Sequence, residues 1–174
     1  LTDKATIEAY SAAEALCRQL GEEWKQTHMH VLWQLIASAG VRGEWQRSYT
    51  GACELLGHAE AAQDKPGLMS AHRIIGFSLF CMGDPARGRI NLEQGAALYD
   101  YDAHQGLAAV YGQDPGVGAM AILSWALIML GFLDQALERA RAAVALAERL
   151  AHTAPPGYGP RYVAVRSLMR GGDD

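Results

Sequence analysis

An all-α fold of stacked helical hairpins, a solenoid of about three to four divergent repeats, is what this sequence predicts. Three observations predict it. Apolar residues recur at three-and-four spacing, the mark of helices with one buried face. No stretch shows sustained alternation bounded by turn residues, so no strand is expected. Finally, one arrangement recurs: an apolar helix, a glycine turn and a second, amphipathic helix, seen in IASAGVRGEWQRS, SLFCMGDPARG and ALIMLGFLDQAL. The turn glycines Gly43, Gly83 and Gly131 are 40 and 48 residues apart. Five positions after each lies a small residue, Ser48, Gly88 or Ala136, where two helices must cross closely.

The elements follow in order. Tyr10, Ala13, Leu16 and Leu20 give the first helix its apolar stripe. Trp45, Ser48, Tyr49, Ala52, Leu55, Leu56 and Ala59 give a later one its own. Lys65-Pro66-Gly67 reads as a loop. Asp84-Pro85 and Asp114-Pro115 read as helix starts, each pairing a side-chain acceptor at the N-cap with a ring of preset φ at the first helical position. From Pro115 to Leu133 there is no charged residue, which approaches spanning length. The flanking Asp114 and Asp134, without Lys/Arg bias, favour a helix buried among its neighbours over a membrane span. Between Asp134 and Ala151, residues Ala136, Leu137, Ala140, Ala143, Val144, Ala147 and Leu150 form the last apolar face. The repeat domain is placed at 1–152. The tail at 153–174 is broken by prolines and glycines, and only Arg161 to Arg170 resume a helical pattern. With Tyr158, Tyr162 and Val163 beside the last helix, that end is expected to fold back or to form a homodimer contact.

Composition narrows the function. The 174 residues carry a net charge of −4 and are 50% hydrophobic and 20% charged, enough apolar matter for a core and the opposite of a disordered chain. With 15 basic against 19 acidic residues the chain is no general nucleic-acid binder, which needs excess positive charge to displace counterions. Cys17, Cys53 and Cys81 are scattered, and no basic-then-apolar leader opens the sequence; together these predict reduced thiols and a cytoplasmic protein. The cysteines fall in helical patterns, where buried cysteine acts as a small hydrophobe.

The search for chemistry yields little. GxxxxGK[ST] is missing, which argues against NTP hydrolysis. The six histidines include no pair three or four apart, so zinc is not supported, and no metal or cofactor is expected. DYDAH, with Asp100, Asp102 and His104, reads as a polar loop rather than a cation site. In YGQDPGV, Gly112, Asp114 and Pro115 suit a sharp turn and a capped helix start. His104, Tyr111, Gln113 and Asp114 are a candidate polar cluster for a partner or small ligand.

With its turn glycines, the small residues five positions on and Gly76 at the small position of a first helix, the sequence resembles the tetratricopeptide family, in divergent, long-looped units. The runs HRIIGFSLFCMGDPARGRINLEQGAALYD, HQGLAAVYGQDPGVGAMAILSWALIMLGFLDQAL and ALAERLAH, over about His72 to His152, also resemble the C-terminal repeats of bacterial signalling proteins in which class III nucleotide cyclase and AAA-type ATPase domains precede the repeats. The resemblance implies a non-catalytic protein-interaction or regulatory module, with a small-ligand sensor as the alternative. It also implies that first helices line a concave face. The register by turn glycines puts His30, Trp33, Ser70, Arg73 and Trp125 there, with Phe77, Phe80, Ala121 and Ile128. His30, Trp33, Arg73 and Trp125 are the candidate contacts to a protein or peptide partner; Phe77, Phe80 and Ile128 are expected to pack against neighbouring helices.

Overall fold

The structure, a computed structural model, describes residues 4–20, 25–108 and 113–153. Among these, eight helices and no strand are found: α1 (Lys4–Leu20), α2 (Lys25–Val41), α3 (Trp45–Ala62), α4 (Lys65–Cys81), α5 (Pro85–Ala97), α6 (Tyr101–His104), α7 (Pro115–Met129) and α8 (Leu133–Thr153). The tail from residue 154, with its expected fold-back or dimer contact, lies outside the described residues.

Three hairpins, α2–α3, α4–α5 and α7–α8, turn in one way. Gly43, Gly83 and Gly131 have φ of 76°, 86° and 83°, a left-handed conformation that costs a glycine nothing sterically. After each, the next N–H reaches back to a carbonyl of the preceding helix: Glu44 to Ala39 at 3.0 Å, Asp84 to Leu79 at 2.9 Å and Phe132 to Leu127 at 2.9 Å. This closure satisfies carbonyls that a helix end would otherwise leave open. Between α3 and α4 the same bond forms, Asp64 N–H to Ala59 at 2.9 Å, around Gln63 at φ 52°.

The small residues stand where the helices cross. A Cβ on Gly88 would lie 2.8 Å from the Gly76 carbonyl oxygen, and one on Gly76 would lie 2.6 Å from Leu92 Cγ. Backbone touches backbone there, so α4 and α5 lie closer than any side chain would permit. Ser48 and Ala136 are buried at the equivalent crossings, and the Ser48 hydroxyl donates to the Ile36 carbonyl at 3.3 Å.

From α1 to α5 each helix packs on the next, α5 packs on α7 and α7 on α8, and α4 also touches α7 directly. One core cluster joins α2, α3 and α4 through Trp33, Ile36, Leu55 and Ile75. A second joins α5, α7 and α8 through Leu92, Leu123, Leu127 and Ala136. The uncharged α7 is buried on nearly every side, from Pro115 to Leu127. Among the described residues, no helix is long and apolar enough to cross a membrane.

Four expectations need correction. Lys65-Pro66-Gly67 is the first turn of α4, not a loop, because proline there gives up only an N–H that has no helical partner. Cys53 is exposed; Cys17 is buried, and burial pushes the Cys81 thiol up. DYDAH is not a loop, because Tyr101–His104 forms the short helix α6, whose first N–H groups the Asp100 side chain caps. Ile128 is not packed away but 52% exposed at the end of α7.

Candidate functional site

A groove of about 760 Å³ opens beside the α2–α3 turn, between α2 and α4. Trp33 from α2, Trp45 from α3 and Phe77 from α4 give it apolar walls, and Gln113 closes it from the start of α7. Trp45 meets Phe77 edge to face, their centroids 5.4 Å apart. Trp33 is only 8% exposed and belongs to the core cluster, so it presents an edge to the groove while its bulk supports α2 against α4.

Two guanidinium groups line this groove, and they differ in what they do. Arg42 is spent on the turn. Its Nε and a terminal nitrogen donate to the two Glu44 oxygens at 2.7 and 3.0 Å, and the other terminal nitrogen donates to Ser38 Oγ at 2.6 Å. The shared bond raises the Arg42 pKa and lowers that of Glu44. Arg73 has no such anchor. Its Nε is buried without a hydrogen-bond partner, and its stem runs against α7, with Cδ 3.0 Å from where a Gly118 Cβ would be. Burial lowers its pKa, an effect the negative charge of Asp114 partly offsets.

The Asp114 carboxylate is fully buried and fully employed. One oxygen caps α7 by accepting the Val117 N–H at 2.9 Å; the other accepts the Tyr99 hydroxyl at 3.0 Å. Burial raises its pKa, against the lowering effect of these bonds, of the Gly116 N–H and of nearby His104. His104 is buried as well, and its Nδ1 accepts the Asp100 N–H at 3.0 Å. Asp100 in turn caps α6 through the N–H groups of Asp102 and Ala103. These bonds cap α7, tie its start to Tyr99 and close the turn of α6.

Of the sequence-predicted contacts, Trp33, Arg73 and Gln113 come together in the groove, while Asp114 lies behind Arg73. Trp125 stands elsewhere, half-buried on the Leu92–Ile122 cluster with Phe77 and Phe80. Phe77 and Phe80 pack as expected, their rings stacked at 6.5 Å, yet Phe77 also forms a groove wall. The His30 side chain and all of Tyr111 lie outside the described residues. Sequence reasoning missed Trp45, whose signal was its place two residues after a turn glycine. No protein-family model, curated protein or solved structure matches the chain.

Proposed function

We propose that this chain is a tetratricopeptide-like solenoid that binds a protein segment in the Trp33–Arg73–Phe77 groove and performs no catalysis of its own. Arg73 carries the proposal. A buried guanidinium nitrogen without a partner costs stability, and a carboxylate arriving in the groove satisfies it through a charge-assisted, fork-shaped contact. Aromatic walls around an arginine are also the residue types on which binding energy concentrates. The segment recognised is an extended peptide bearing a carboxylate, on a side chain or at its C-terminus. Three hairpins with one turn geometry and small residues at their crossings support the solenoid assignment. The regulatory role within a cyclase–ATPase signalling protein rests on the sequence resemblance. Because Asp114 and His104 already have partners, the groove is favoured over the ligand-sensor loop.

The test is an array of extended peptides, with acidic side chains or free C-termini and their amide counterparts, probed with the full chain and with Arg73→Met. Trp33→Ala is a poor probe, since emptying that core site costs about 3–5 kcal/mol. The proposal expects a set of carboxylate-bearing peptides retained by the parent chain and lost by Arg73→Met. The same pattern with both proteins rejects the groove.

A further inference from the structure

On the N-terminal side of the molecule, away from Arg73, three helices bring metal-ligand atoms together. Glu14 on α1, His28 on α2 and Glu54 on α3 each offer one ligand atom, all within 4.8 Å of one another. The His28 Nε2 is buried with no hydrogen-bond partner, in a side chain only 12% exposed, and lies 4.0 Å from Glu14 Oε1. One turn beyond Glu54, His58 places its Nε2 3.8 Å from the Glu54 oxygen, its ring edge-on to that of His28 with centroids 5.5 Å apart.

These separations are too long for hydrogen bonds. Two atoms each about 2.1 Å from one tetrahedral zinc stand about 3.4 Å apart, so small rotations of three side chains bring them onto a shared ion. We infer that Glu14, His28 and Glu54 form a binding site for a divalent transition metal, zinc by its donor set. Mixed imidazole and carboxylate ligands suit zinc, and two carboxylates balance the charge of the dication in this partly buried place. The fourth position falls to water or to His58. The ion accepts the buried nitrogen's lone pair, and Glu54, 39% exposed on its side chain, leaves a way in from solvent. Such an ion ties α1, which packs on α2, directly to α3.

The experiment is a calorimetric titration of zinc chloride into the chelator-treated full chain, beside His28→Ala, Glu54→Gln and the distant His72→Ala. The expected result is one zinc per chain and a melting temperature that rises with zinc and falls back with chelator. Binding weakens more than about tenfold in His28→Ala and Glu54→Gln and is unchanged in His72→Ala. Glu54 is at the surface, so Glu54→Gln reads out the site even if His28→Ala folds poorly. Absence of saturable binding at one zinc per chain, or equal binding by Glu54→Gln and the parent, overturns the inference. The cluster is then a set of His–Glu ion pairs.

Discussion

Two buried charges near the α4–α7 contact, Asp114 and Arg73, live under opposite arrangements. The Asp114 carboxylate pays for its burial with a helix cap and a tyrosine hydroxyl. Arg73 is desolvated and its Nε receives nothing in return. A buried charge with satisfied bonds explains itself through the fold, whereas an unsatisfied one is a cost that the fold alone does not explain. The Asp114 site is therefore architecture, and the groove beside it is where the proposed partner would act.

Substitutions sharpen this contrast. Asp114→Ala has the largest expected effect. It strands the Val117 N–H and the Tyr99 hydroxyl in a buried site and removes the cap of α7, for a loss of about 2–3 kcal/mol in urea denaturation. A chain of this size then melts roughly 2–4 °C lower for each kcal/mol lost. Tyr99→Phe removes one bond to the carboxylate and costs about 1–2 kcal/mol by the same measurement. A loss in Tyr99→Phe as large as that in Asp114→Ala would mean that the cap contributes nothing.

The pH dependence of stability isolates Asp114 further. Its pKa in the folded chain is raised by burial above the ordinary carboxylate value, so the folded state holds this proton to higher pH than the unfolded state does. That contribution to stability is complete below the ordinary carboxylate range and is lost as pH rises through the elevated folded value. Asp114→Asn keeps an acceptor for the Val117 N–H and cannot titrate. Denaturation midpoints measured across that range should show the parent losing stability relative to Asp114→Asn as pH rises; parallel curves would contradict the assignment.

Much of this architecture is legible in the sequence because some positions admit few residue types. A positive φ at Gly43, Gly83 and Gly131 and backbone contact at Gly88 leave glycine nearly alone, so spacing exposes them. Asp84-Pro85 and Asp114-Pro115 are legible too, since capping and the first helical position demand those groups. Lys65-Pro66-Gly67 misleads because proline is equally at home in a loop and in a helix's first turn. The groove was half visible. Arg73 and Trp33 follow from register, but whether a side chain is satisfied depends on three-dimensional neighbours, and Trp45 enters from a second helix. The Glu14–His28–Glu54 cluster draws one residue from each of three helices, and only the one-turn spacing of Glu54 and His58 hints at it.

Arg73→Met has the smallest expected effect on stability and bears most directly on the central claim, that the folded chain leaves the buried Arg73 Nε without a hydrogen bond to offset its burial. Methionine replaces the aliphatic stem and removes the buried guanidinium. Urea denaturation of Arg73→Met beside the parent should find the variant as stable, or more stable by about 1 kcal/mol. A loss of about 3 kcal/mol or more would mean that the guanidinium is paired within the folded chain, and the groove would lose its reason for binding a carboxylate.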